Sequence, residues 1–273
     1  MNLCLAANLA LPLIMLTTPL HAVEIIAHRG ASHEAPENTL AAIRPGWQQA
    51  DAVEIDIRLS RDGQIVLHHD DNTNRVAGVD KKVVGQTLAE LRQLDVGRWK
   101  NARFTGEKIP TLDEVLATIP DGKRLFIEIK CGPEVIPTLQ EALARCGKPN
   151  ARFVIIAFSY SVLRAVKKAL PEVETYWLAG FTQDKETKAF SPRVEDLIRK
   201  AKTAGFTGLN LNYKGPIDAS LVRQVKAAGL KCFVWTVNSV ADARTLVAAG
   251  VDGITTDRPA WLAGQLDEVA SQT

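Results

Sequence analysis

Two strings in this chain carry polar residues at alternate positions within apolar neighbours: Glu54-Ile55-Asp56 and Glu128-Ile129-Lys130. In an extended strand, residues i and i+2 leave the same face roughly 7 Å apart, so Glu54 and Asp56 emerge side by side. Val53, Ile55 and Ile57 then face the other way. Three carboxylates meeting at one end of a sheet repel one another in a low dielectric unless a cation sits among them. Glu-x-Asp alone fits a structural ion pair with Lys or Arg better than a metal site. Adding Glu128 and nearby histidines favours a metal site. With oxygen donors only, the ion is expected to be hard: Mg²⁺ or Ca²⁺ rather than zinc.

The histidines sharpen this reading. All five lie at or before position 69. His28 ends an apolar run, and His68-His69-Asp70 follows the Glu54–Asp56 strand closely. Neighbours on a strand point opposite ways, so only one of His68 and His69 faces the carboxylates. Two imidazoles flanking a metal site form a general acid and base that work near neutral pH. Arg29 offers a planar fork that suits a phosphate. A cation, an Arg, a Lys and two His around one point suggest phosphoryl chemistry. Glycoside hydrolysis would instead use two carboxyls as acid and base with no cation.

The elements that must position these residues alternate regularly. Strand-like runs fall at 23–27, 52–59, 125–129, 153–157, 174–178, 208–211, 231–235 and 253–256, with helical stretches such as 133–146, 161–170, 194–204, 219–228 and 240–249 between them. Gly205, Gly229 and Gly250 each follow a helix and precede a strand, a natural helix C-terminal signal. Eight strands with intervening helices predict an α/β chain folded as a (β/α)8 TIM barrel, whose active site lies at the carboxyl ends of its strands. About 65 residues separate the second and third barrel strands, too many for a bare helix. A hairpin at Gln64–His68 and helices at 88–94 and 112–118 are expected in this excursion, and such a departure usually carries function.

Composition fixes the class of partner. The chain has 273 residues with 33 Lys+Arg against 31 Asp+Glu, a net charge of +2. That balance argues against a nucleic-acid binder. Met1–Ala22 contains no charged residue and ends Leu-His-Ala, which reads as a secretory signal peptide. A single barrel domain over 23–273 would remain, without stable membrane insertion, in the periplasm or secreted. The alternatives are a membrane anchor, against which Pro12, Pro19 and the short run argue, and a cytoplasmic protein with a misassigned start. Beyond the signal lie Cys131, Cys146 and Cys232, with no zinc spacing or disulfide framework.

Taken in order, His28-Arg29-Gly30, Glu37-Asn38-Thr39, Glu54-Ile55-Asp56, His69-Asp70, Glu128-Ile129-Lys130 and Trp235-Thr236-Val237-Asn238 resemble the motifs of the glycerophosphodiester phosphodiesterases. The likeness runs from about residue 23 to 260. It implies a barrel that uses a divalent metal to hydrolyse small glycerophosphodiesters, such as glycerophosphocholine or glycerophosphoethanolamine, to glycerol 3-phosphate and an alcohol, in phospholipid breakdown and glycerol metabolism. By resemblance, Glu54, Asp56 and Glu128 bind the metal and His28 and His69 act as acid and base. Arg29 and Lys130 hold the phosphate, and Trp235 lines the alcohol or glycerol pocket. His68 becomes a strand residue with a packing or solvent role. Glu37 supports the site from behind, and Asn38 or Thr39 caps the first helix. Asp257 reads as a helix cap outside the site. Pro45 and Gly46 should shorten or kink the first helix. Asn74–Gly78 lacks the Thr pair that follows the corresponding Arg in the family. Two rivals share these residues: a lysophospholipase D acting on larger lipids, and a noncatalytic barrel that binds phosphodiester headgroups.

Overall fold

The structure, a computed structural model, describes residues 23–270. The expected signal peptide lies outside them. Eleven strands follow one another: β1 (Glu24–Ala27), β2 (Ala52–Leu59), β3 (Ile65–Leu67), β4 (Arg124–Ile129), β5 (Phe153–Ala157), β6 (Glu174–Ala179), β7 (Thr182–Gln183), β8 (Phe190–Ser191), β9 (Gly208–Asn212), β10 (Lys231–Trp235) and β11 (Gly253–Thr256). Eight run parallel in the order β1-β11-β10-β9-β6-β5-β4-β2, and β1 pairs with β2 to close the barrel. The (β/α)8 expectation is met, with strand ends within a residue of those read from the sequence.

Alternation along each strand sorts the side chains. Ile26, Ala52, Phe126, Val154, Tyr176 and Phe233 fill the barrel interior. Ile25, Val53, Ile55, Ile57, Leu125 and Ile127 pack outward under the helices. Tyr176 stacks on Phe233 at 4.7 Å between ring centroids, and Phe126 tilts against both. Gly253 makes room for this layer: a Cβ there would lie 2.2 Å from the Phe233 ring. Below it, Glu174 accepts hydrogen bonds from Arg124, Lys231 and Tyr176, and Arg124 also pairs with Glu24 at 2.9 Å. This end of the barrel is filled, so chemistry has only the carboxyl-end mouth.

The excursion after β2 forms a small core of its own around Val66, Val76, Val83, Leu91, Val96 and Ile109. Strand β3 pairs antiparallel with β2, Ile57 opposite Leu67. Short helices at Leu88–Leu91 and Leu112–Leu116 begin at Thr87 and Thr111, each in a capping box with the glutamate three residues on.

Helix Leu40–Gln49 departs from expectation. Thr39 caps it as foreseen, but it runs ten residues through Pro45. The proline costs the Ala41 carbonyl its partner, and packing outweighs that loss because Ala42, Ile43, Gly46 and Trp47 are buried. Gly46 lets the helix sit close: a Cβ there would lie 3.1 Å from Val53 and 3.3 Å from the Gly30 Cα. Beyond β6, the hairpin β7–β8 was not foreseen in the sequence.

Candidate functional site

Neighbouring strands β2 and β4 bring the three acids together. Asp56 stands opposite Glu128 in the β2–β4 register. One ligand atom from each of Glu54, Asp56 and Glu128 lies within 4.8 Å of the others, and all three residues are buried. One oxygen of each is held by the protein. Glu54 Oε2 accepts from the Arg29 amide at 2.9 Å, Asp56 Oδ2 from Asn38 Nδ2 at 2.8 Å, and Glu128 Oε1 from Lys130 Nζ at 2.8 Å. Glu54 Oε1 and Asp56 Oδ1 are buried with no hydrogen-bond partner among the described residues. Such oxygens are costly to leave bare. A hard divalent cation would satisfy both, so the donor set fits the ion expected from the sequence.

Electrostatics agree. Burial, then the charges of Asp56 and Glu128, hold the Glu54 carboxyl well above the ordinary range. Burial and Asp56 push Glu128 up to about 7. Asp56 is buried too, but Arg29 and Lys130 overcome that and keep it below its ordinary value. A cation among these three acids would favour their charged forms.

Both sequence-selected histidines reach this mouth. His28 Nδ1 lies 2.7 Å from Asp257 Oδ1. The same carboxylate accepts from Ser32 Oγ at 3.0 Å and, through Oδ2, from Asn238 Nδ2 at 2.6 Å. Asp257 therefore belongs to the site, contrary to its reading as a helix cap. Closure of β11 against β1 carries it there. His69 Nδ1 lies 2.7 Å from Asp70 Oδ1. Its delivery follows from the hairpin: the His68 amide donates to the Asp56 carbonyl, and Arg58 donates to the His69 carbonyl from Nε at 3.2 Å and a terminal nitrogen at 2.8 Å. Burial lowers the His69 pKa, so its neutral form is favoured. His68 faces away, buried, with Nε2 2.9 Å from the Asn72 carbonyl. That is the packing role expected for it.

Arg29 joins the two halves. Its φ of 55° is left-handed, an uncommon setting for a residue with a Cβ, and Gly30 follows at 82°. This turn aims the Arg29 amide at Glu54 while its guanidinium reaches Asp56 at 3.2 Å and Glu37 at 2.8 Å. Glu37 also accepts two bonds from Arg75, at 2.7 and 2.9 Å, and Arg75 reaches Asp70 at 2.6 Å. A continuous chain of ion pairs thus runs from His69 through Asp70, Arg75, Glu37 and Arg29 to Asp56. It holds Asp70 far below its ordinary pKa against the effect of burial, and Glu37 below its own.

These residues surround a chamber of about 160 Å³. Its polar side is His28, Arg29, Glu54, His69, Glu128 and Lys130; Ile156, Phe158, Leu178 and Trp235 form the apolar side. Trp235 donates through Nε1 to the Asn210 carbonyl at 3.0 Å, and Phe158 meets its ring edge-on at 5.4 Å. Seven of the eight residues selected from the sequence line this chamber; the eighth, Asp56, is buried beside Glu54 and Glu128. Phe158 and Asn210 were missed; Phe158 lies just past the carboxyl end of β5, the position that could have flagged it, and Asn210 is a polar residue in the middle of β9.

Residues 28–261 match the family described as glycerophosphoryl diester phosphodiesterases. A glycerophosphodiester phosphodiesterase of Caldanaerobacter subterraneus is 35% identical over 87% of this chain and 95% of its own length. One from Bacillus subtilis is 29% identical over 86% of this chain and 83% of its own. The solved structure of an Oleispira antarctica phosphodiesterase in complex with its product sn-glycerol-3-phosphate superposes with a TM-score of 0.79 at 31% identity, covering 89% of this chain and 96% of that one. The sequence pattern, the barrel and the convergence of the motifs at one mouth agree with these likenesses: the chain belongs to the glycerophosphoryl diester phosphodiesterase family, a family of phosphodiester hydrolases.

Proposed function

We propose that this enzyme hydrolyses small glycerophosphodiesters, such as glycerophosphocholine or glycerophosphoethanolamine, to glycerol 3-phosphate and an alcohol, with Mg²⁺ or Ca²⁺ as its cofactor. Such an activity serves phospholipid breakdown and glycerol metabolism. The observation that carries it is the meeting, at one chamber, of carboxylate oxygens without partners, two aspartate-backed histidines and the Arg29–Lys130 pair. Glu54, Asp56 and Glu128 would hold the cation, which supplies positive charge for a non-bridging phosphate oxygen. Arg29 and Lys130 hold the remaining phosphate charge.

The histidines handle protons. With Nδ1 of each tied to an aspartate, Nε2 is the nitrogen left to exchange a proton with the substrate. One imidazole takes the proton of the attacking hydroxyl as the new phosphorus–oxygen bond forms. The other gives a proton to the alkoxide as the old bond breaks, and the net reaction consumes one water. Trp235 and Phe158 wall the small chamber, which suits a glycerol arm.

Two rivals fit less well. A lysophospholipase D needs space for an acyl chain, and a chamber of about 160 Å³ does not offer it. A binding module has no use for two oriented imidazoles. The uncharged Met1–Ala22 segment supports a secreted or periplasmic site of action. The test is alcohol release, choline from glycerophosphocholine and lysophosphatidylcholine and ethanolamine from glycerophosphoethanolamine, each with Mg²⁺, Ca²⁺ or EDTA. Release from the first two only, abolished by EDTA and by Glu54→Ala or His69→Ala, is expected. Wild-type rates in either variant would overturn the reading.

A further inference from the structure

A second cavity adjoins the chamber. A groove of about 280 Å³ runs between the barrel mouth and the excursion, and His28 and Arg29 line both spaces. The two spaces differ in character. The chamber is small and has an apolar wall. The groove is bordered by Ser32, His33, Trp99 and Lys100 beside the His28–Asp257 and Arg29–Glu37 pairs.

Of the lysine and arginine side chains lining the groove, Arg29 is paired with Glu37 and Lys100 has no carboxylate partner among the described residues. Lys100 Nζ donates to the Ser32 carbonyl at 2.7 Å and lies 5.9 Å from the centre of the Trp99 ring. Arg103 donates to the Glu34 carbonyl at 3.0 Å, and Arg258 lies 3.0 Å from His33 Nε2. Lys100, Arg103 and Arg258 each hold a neutral group, and none is in an ion pair with a carboxylate among the described residues. Elsewhere in the site Arg29, Arg75 and Lys130 are all paired with acids. Lys100 lines the groove, while Arg103 and Arg258 hold the same Gly30–Pro36 loop without lining it; a cation with no carboxylate partner raises the local concentration of anions and favours an anionic occupant.

A phosphodiester has two alcohol arms that diverge from phosphorus. With its phosphate at His28 and Arg29, one arm enters the chamber and the other the groove. We propose that the groove receives the arm opposite the glycerol and selects alcohols bearing their own negative charge, such as a second phosphodiester, with Lys100 as the residue that discriminates. This rests on the glycerophosphodiesterase reading and adds a charge preference to it.

Three substrates that differ in the charge of that arm separate the two: glycerophosphocholine (cationic), glycerophosphoglycerol (neutral) and bis(glycerophospho)glycerol (anionic). For wild type at low ionic strength, kcat/KM is expected to rise in that order, with the anionic substrate about fivefold above the neutral one, the effect of one solvent-facing ion pair. The preference should shrink as salt is raised. Lys100→Gln should cut the anionic-to-neutral ratio towards one, and Lys100→Arg should restore most of it. Equal kcat/KM for the anionic and neutral substrates would overturn the proposal while leaving the glycerophosphodiesterase reading intact. So would a ratio that Lys100→Gln leaves unchanged. Failure to turn over any of the three substrates would overturn both.

Discussion

His28 and Asp257 stand 2.7 Å apart although 229 residues of chain separate them. Strand β1 supplies the imidazole and the loop after β11 supplies the carboxylate, and only the pairing of Glu24–Ala27 with Gly253–Thr256 brings the two together. An aspartate behind a catalytic imidazole fixes its tautomer and orientation and stabilises its protonated form.

Asp257→Asn is therefore expected to lower kcat/KM for glycerophosphocholine by about 10²-fold or more, at the scale of a lost general acid or base. The amide keeps the shape of the side chain, so the thermal melting midpoint should stay close to wild type. A variant that melts normally and turns over normally would remove Asp257 from the site.

Glu37 sits between two guanidinium groups and is bonded to both Arg29 and Arg75. Glu37→Gln should lower kcat/KM by about tenfold, through loss of Arg29 positioning, and Arg75→Gln should act through the same chain. Residues in one network do not contribute independently. The double variant is expected to cost clearly less than the product of the two single losses, and a multiplicative result would show that Glu37 and Arg75 act separately.

The raised pKa of Glu128 gives a stability signature. In the unfolded chain this carboxyl titrates near 4.5, and in the folded chain at about 7 because of burial and Asp56. Between those values the folded chain holds a proton that the unfolded chain has lost. The contribution is therefore complete below pH 4.5 and is lost as pH rises through 7. His68 and His69, both lowered by burial, act in the opposite sense below pH 6.5. The difference between wild type and Glu128→Gln reports on this carboxyl together with its effect on Glu54, whose pKa the Glu128 charge helps raise. In EDTA, the stability of wild type relative to Glu128→Gln should fall by up to about 3 kcal/mol between pH 4.5 and 7.5, taking 1.36 kcal/mol per unit. Excess Mg²⁺ or Ca²⁺ should erase the fall, since a cation replaces the proton. Denaturant titrations at each pH would show it; parallel curves in EDTA would refute it.

The turn at Gly30 is expected to be the least tolerant of the left-handed glycines. Its φ is +82°, and a Cβ there would lie 2.5 Å from the Ala42 carbonyl carbon. Gly63, at +76°, has nothing within 4 Å. Gly63→Ala should cost about 1 kcal/mol from backbone conformation alone. Gly30→Ala should cost several times that, as backbone of helix Leu40–Gln49 must move. Similar unfolding free energies for the two variants would contradict the close packing described.

Much of this was legible because strands have a period of two. Glu54, Asp56, Glu128 and Lys130 sit on one face by spacing alone, and the barrel then supplies a common mouth. Asp257 was not legible in the same way. In Thr-Asp-Arg-Pro it resembles a helix cap, and its role depends on a pairing between the two most distant strands, which no local pattern encodes. Spacing left His68 and His69 equivalent; the Arg58 bonds to the His69 carbonyl show how the hairpin turns one of them inward. Pro45 misled for the opposite reason. Its local cost was read correctly, but the burial of Trp47 and Ile43 that outweighs it is a property of the assembled barrel.

Closure of the first strand against the last also sets a timetable. The residues that would grip the cation, Glu54, Asp56 and Glu128, leave the ribosome within the first half of synthesis, whereas the partner of His28 comes near the end. At typical elongation rates the 229-residue interval lasts roughly 10 to 50 s. A nascent or prematurely terminated chain lacking residues 253–257 would carry every acid of the metal site and still have an unanchored first histidine. Such a fragment would lack the carboxylate that orients His28, so the surroundings of that imidazole are complete only once the last strand is in place.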